Sequence, residues 1–150
     1  MTEAQDFFMT IGILGTLGFY TLSTAAYLAF LFIQKKVLHR WGVGLLSTGF
    51  GVHTLSIGYA TFAAGHIPVN TLRDTLSFAC WAVAGVFLLF HYRYRLKIMG
   101  IFAAPLTAAT MALVAVMPAT TMAAKPVLKS FWLVSHVTFI FIGEAGMALA

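Results

Sequence analysis

Phe7-Phe-Met-Thr-Ile-Gly-Ile-Leu-Gly-Thr-Leu-Gly-Phe-Tyr-Thr-Leu-Ser-Thr-Ala-Ala-Tyr-Leu-Ala-Phe-Leu-Phe-Ile33 contains no charged side chain. A helix needs about 20 mostly apolar residues to cross the hydrocarbon core of a bilayer. In that medium only a helix or a closed barrel satisfies every backbone polar group. This stretch therefore reads as a membrane-spanning helix. Glu3 and Asp6 stand where a cleavable signal would carry basic residues, and no small-residue cleavage site follows a short apolar run. The helix is expected to be retained.

Four further apolar runs follow, at roughly 42–65, 75–92, 99–117 and 131–150. The third reaches spanning length only with His91 and Tyr92. Across the chain 61% of residues are hydrophobic and 9% are charged, with a mean hydropathy of +0.93. A soluble domain carries about 25% charged residues. The expected fold class is all-α, a polytopic transmembrane bundle of about five spanning helices, with residues 1–150 forming a single transmembrane domain. The last run is still apolar at Ala150, so the chain is expected to be the N-terminal part of a longer polypeptide.

Nine Lys and Arg against four Asp and Glu give a net charge of +5. The cations cluster between apolar runs, which fits loops beside anionic lipid better than a nucleic-acid face, so no nucleic-acid partner is expected. Lys35, Lys36 and Arg40 fall between the first and second runs, and Arg93, Arg95 and Lys97 between the third and fourth. The alternate segments hold only Arg73, Lys125 and Lys129. The richer set is expected in the cytoplasm. The N-terminus and residues 66–74 and 118–130 are then expected outside.

Small residues favour close helix approach. Gly12, Gly15 and Gly18 share one face of the first helix, and Gly42, Gly44, Gly51 and Gly58 recur in the second. Pro105 is expected to kink the fourth. Trp41, Tyr92 and Trp132 fall near helix ends, as an aromatic belt would. Cys80 is the single cysteine, which excludes an internal disulfide and a paired-thiol motif. Asn70 or Thr71 is placed to cap the third helix.

Ionisable groups at membrane depth are costly and mark functional candidates. His53 lies within the second run, and His136 and Glu144 within the fifth. His136 and Glu144 are about 12 Å apart along a helix axis and about 80° apart around it, too far to share one metal ion. His136 could ligate a metal or haem iron at the outer face, or hydrogen-bond to another helix. His53 could bind a cofactor, or make a polar contact with Thr54, Ser56 or a backbone group. Glu144 could be protonated, or pair with His53. His39, His66 and His91 read as structural or interfacial side chains. No hydrolase, zinc-protease or nucleotide-binding motif is present.

Three stretches carry a resemblance. Gly51-Val-His53-Thr-Leu precedes Gly65-His66-Ile-Pro68-Val-Asn70; Asp74-Thr-Leu-Ser-Phe-Ala-Cys-Trp81 follows; Leu128-Lys-Ser-Phe-Trp132-Leu-Val-Ser-His136-Val closes the set. Together they resemble the cytochrome c assembly family, in its CcsA/ResC-type branch. The resemblance implies a subunit of a cytochrome c synthase in the bacterial cytoplasmic membrane. Such proteins hold haem b at the outer face between two external histidines, against a tryptophan-rich WWD segment. A CcsB/ResB-type partner or fused domain completes the synthase. The CxxCH thiols of an apocytochrome c then add to the haem vinyl groups. His136 matches the first external ligand, and His53 matches a histidine often seen in this branch. Arg73, Lys125 and Lys129 could face propionates or an acidic partner, or serve as interfacial anchors. Asp74 stands where the family usually has Glu, and neither the WWD segment nor the later histidines are present. Two other readings stand beside this one: a HemX-like regulatory membrane protein of tetrapyrrole synthesis, and a transporter or structural subunit of a membrane complex.

Overall fold

The computed structural model describes residues 3–65, 71–94, 98–118 and 131–149. Regular structure among them is helical throughout: α1 (Glu3–Ile33), α2 (Lys36–Ala64), α3 (Leu72–Tyr94), α4 (Met99–Val116) and α5 (Phe131–Leu149). Phe7–Ile33, Leu72–Tyr94 and Met99–Val116 are long and apolar enough to cross a membrane. Within α5, Thr138–Met147 is a shorter apolar stretch. The chain is a multi-pass membrane protein, an all-α bundle as its composition dictates.

The helix ends show how the chain reverses. Gln34 has φ 55°, and its N–H donates to the Phe30 carbonyl at 2.8 Å. Lys35 then caps α2, so the reversal takes only two residues. Lys36 and Arg40 lie in the opening turns of α2, which begins six residues before the expected Gly42. Polar residues end an apolar run without ending a helix, because lysine and arginine are good helix formers. Arg93 likewise belongs to the last turn of α3. At the far end of α2, Gly65 takes φ 69° and its N–H returns to the Thr61 carbonyl at 2.9 Å. This is a left-handed cap that glycine adopts without a Cβ clash. Thr71 caps α3, its Oγ1 accepting from the Asp74 N–H at 3.1 Å. Asn70, the other expected cap, lies outside the described residues, as do His66, Arg95, Lys97, Lys125 and Lys129.

α1 packs against α2 and α4, α3 packs against α4, α5 and α2, and α5 touches α4 only at its edge. α1 and α2 run antiparallel: Gly12 meets Ser56, Gly15 meets Val52, and the Ser23 hydroxyl donates to the Gly42 carbonyl at 2.8 Å. Tyr20 and Tyr27, both fully buried, lie over Gly49 and Gly42. A Cβ at either glycine would come within 2.9 Å of a tyrosine ring. The spacing of seven on both helices is two turns, so ring after ring meets glycine after glycine. Gly100 of α4 closes on the other side of Tyr27.

The expected close approach holds at Gly12, Gly15 and Gly42. Gly18, Gly44, Gly51 and Gly58 face open space instead. Gly44 and Gly51 are each two residues beyond a seam glycine, hence about 200° around the helix. Leu46, Phe87, Met111 and Val114 complete the core between α2, α3 and α4. α4 runs through Pro105 as one helix.

Candidate functional site

Two histidines from the sequence reading occupy opposite kinds of environment. His53 is 1% exposed. Its Nδ1 lies 3.3 Å from the Tyr20 hydroxyl of α1, and its Nε2 lies 3.0 Å from the Ser77 hydroxyl of α3. A neutral imidazole has one donor and one acceptor nitrogen, and a hydroxyl serves either. The ring is thus fully satisfied and joins three helices. Iron could bind His53 only by displacing Tyr20 or Ser77. Thr54 and Ser56, its expected partners, bond elsewhere: Thr54 to the Phe50 carbonyl at 2.7 Å, and Ser56 to the Val52 carbonyl at 3.0 Å. Nor does Glu144 reach His53, because among the described residues α5 makes no contact with α2.

His136 is exposed on α5. That helix is held to α3 along one stripe. Phe141 packs on Phe78 with ring centroids 5.4 Å apart, and Ala145 is buried with Ala82 and Val86. His136 precedes Ala145 by nine residues, which turns it about 180° from the α3 contact. Its neighbours at helical spacing are Trp132, Phe139, Ile140, Gly143 and Met147. All are exposed; Trp132 is 80%, Phe139 73% and Met147 81% exposed. The imidazole therefore stands on an uncovered apolar strip with an indole one turn before it and a glycine two turns after it.

α3 and α5 run parallel, as the pairing of 78 with 141 and of 82 and 86 with 145 requires. His136 is five residues before Phe141, and Arg73 five before Phe78, so both stand at the same end of the bundle. There the Arg73 Nε donates to the Val114 carbonyl at 3.2 Å, tying the first turn of α3 to the last turn of α4. An expected loop cation is thus a helix clasp.

The opposite end carries Lys35, Lys36, Arg40 and Arg93, with His39 and His91 ring to ring at 5.3 Å. Tyr27 and Phe30 pack on His39, and Phe87 on His91. No local sequence pattern links position 39 to position 91, so each histidine reads singly as an interfacial side chain. Tyr20 and Ser77 were also missed, since nothing in the sequence distinguishes them from other hydroxyls. Among the described residues, no three His, Cys, Asp or Glu side chains gather as a metal cluster.

Comparison with known proteins gives consistent relatives. The chain is 34% identical over 113 residues to the cytochrome c biogenesis protein CcsA of Microcystis aeruginosa, covering 69% of this chain and 34% of that protein. It is 29% identical over 131 residues to the CcsA of Gloeobacter violaceus, covering 84% and 39% respectively. Protein HemX of Brevibacillus brevis is 24% identical over 136 residues, covering 90% of this chain and 50% of HemX. The chain thus spans between about a third and half the length of these relatives. No family model matches the chain. No solved structure matches it either.

Proposed function

The chain belongs to the CcsA-type family of cytochrome c biogenesis proteins, and from that premise we propose that it holds haem on the open face of α5 through His136 during c-type cytochrome maturation. The observation that carries this reading is the exposed imidazole in the middle of an otherwise apolar, uncovered strip. Haem b is the substrate here. Its porphyrin is flat and apolar, and the strip offers matching surface. Trp132 and Phe139 lie within a turn of His136 on either side, and Gly143, with nothing within 4 Å of a would-be Cβ, raises no obstacle below.

The iron takes the His136 imidazole as one axial ligand, which fixes the porphyrin against the helix. The propionates would face the aqueous rim at the Arg73 end of the bundle. The vinyl groups remain available to the CxxCH thiols of an apocytochrome c. Each thiol adds across a vinyl double bond: sulfur bonds to the carbon next to the ring, and the proton goes to the terminal carbon. The addition is redox-neutral, and the protein's contribution is orientation. This chain supplies one wall of the site. The resemblance implies a second external histidine in the part of the family that this chain does not span, and a CcsB/ResB-type membrane partner or fused domain that completes the synthase. Placing the poorly charged His136 end outside gives the N-terminus an outside location in the bacterial cytoplasmic membrane.

His53 supports the site from within. Its bonds to Tyr20 and Ser77 hold α1, α2 and α3 in register. The similarity to HemX, which covers 90% of the chain, favours a second reading as a regulatory protein of tetrapyrrole synthesis. The two readings separate when the gene is deleted: loss of c-type cytochromes supports the first, and altered tetrapyrrole output with c-type cytochromes intact supports the second.

The direct test is the visible spectrum of the purified protein after haem addition. The wild type is expected to show a Soret band, and His136→Ala to lose most of it while keeping its helical circular dichroism. A wild type that binds no haem, or a variant with an undiminished band, overturns the proposal.

A further inference from the structure

We infer that His39 and His91 bind one imidazole-preferring divalent metal ion of the Zn²⁺ class, which ties the first turn of α2 to the last turn of α3. This inference is independent of haem. His39 is the fourth residue of α2 (Lys36–Ala64), and His91 is the fourth from the end of α3 (Leu72–Tyr94). Both are half-buried, and their ring centroids lie 5.3 Å apart with the ring planes at 41°. Two imidazoles on one tetrahedral zinc, each bound at about 2.0–2.1 Å, set their centroids about 5.2 Å apart. The observed spacing is that of a shared ion.

The packing keeps the pair together. Tyr27 and Phe30 of α1 back the His39 ring at 5.8 and 5.3 Å, and Phe87 backs His91 at 5.7 Å. The imidazoles thus stand side by side through the fold itself, which lowers the cost of assembling a site. The last torsion of histidine is soft. Turning about it aims the ring nitrogens at one ion while the centroids stay in place.

The donor set selects the ion. Imidazole suits zinc, copper and nickel, whereas magnesium and calcium take oxygen ligands. Among the described residues no carboxylate stands at this end: Glu3, Asp6 and Asp74 lie in the first turns of α1 and α3, at the opposite end, and Glu144 lies in α5. Lys35, Lys36, Arg40 and Arg93 are exposed, so water and salt screen their charge from the ion. Water completes the coordination. The mechanical effect follows from the seam that the ion closes. Elsewhere α2 and α3 are joined by side chains that reach across: Ser47 to Tyr92 at 3.0 Å, Thr54 to Trp81 at 2.9 Å and His53 to Ser77 at 3.0 Å. A bound ion extends this line of cross-links to the helix ends.

The test is calorimetric titration of the purified full chain in detergent with zinc chloride. Two imidazoles supply about half the ligands of a structural zinc site, so one ion is expected to bind with a Kd on the order of 1–100 µM. His39→Gln and His91→Gln are each expected to weaken it at least ten-fold while keeping the helical circular dichroism, and His66→Gln to leave it unchanged. X-ray absorption of the wild type with one equivalent of zinc is expected to show two imidazole nitrogens on the metal, a readout that needs no variant to fold. A wild type that binds no zinc overturns the inference. So does an affinity undiminished in either His39→Gln or His91→Gln, or a spectrum with fewer than two imidazoles.

Discussion

Gln34 holds a left-handed backbone at φ 55°, a conformation that costs a residue with a Cβ about 1 kcal/mol. Gln34→Gly is therefore expected to raise stability by up to about 1 kcal/mol, read as a higher unfolding midpoint in detergent. The opposite sign is expected at His53. Tyr20→Phe or Ser77→Ala removes one partner of a ring that is otherwise sealed from solvent, and leaving a buried polar atom unpaired costs about 1–3 kcal/mol. Because both hydroxyls serve the same ring, the double variant is expected to fall short of the sum of the singles, since side chains sharing a partner are not additive. The same unfolding midpoints check this. At this scale the sequence was informative about rank and not about partners. A histidine inside an apolar run announced burial. Its partners came from helices 33 residues earlier and 24 residues later, which no local pattern specifies.

At the scale of the element, the α1–α2 seam depends on two glycines that admit two tyrosine rings. Gly49→Leu is expected to destabilise the bundle by about 1–3 kcal/mol or more, because the new side chain has no room beside Tyr20 and Phe19. Gly51→Leu, two residues away, is expected to be nearly silent, since that position faces open space. Thermal unfolding of the two variants in one detergent decides the matter. Helix existence was legible throughout, because the apolar runs are longer than the roughly ten residues of a barrel strand and take helical structure in lipid. Helix faces were not. All sides of a membrane helix are apolar, so the amphipathic stripe that orients a soluble helix is missing. Gly44, Gly51 and Gly58 repeat every seven residues as regularly as the seam glycines do, and only packing separates the two sets. The start of α2 was misplaced for a related reason: Lys36 and Arg40 end the hydropathy signal while the helix continues to the aqueous boundary.

At the scale of the whole molecule, charge divides the bundle into a basic end and an end with little net charge. If the basic end faces the cytoplasm, Leu72→Cys, exposed beside Arg73, is expected to react with a membrane-impermeant maleimide in intact cells carrying Cys80→Ala. Val37→Cys is expected to react only after permeabilisation. The reverse pattern would invert the topology. Much of the candidate site was legible from its motif, since Trp132 and His136 at i and i+4 lie on one face of any helix. That this face is the uncovered one was not legible, because it follows from which side of α5 meets α3.

Whether iron binds the His136 imidazole is decided by pulsed electron paramagnetic resonance of ferric haem bound to protein labelled with ¹⁵N only in its histidine rings. A strongly coupled ¹⁵N signal is expected that persists in His53→Gln and disappears in His136→Gln. Haem ligation by His136 is ruled out by a signal that survives His136→Gln, or by one that vanishes with His53→Gln alone while the fold is retained.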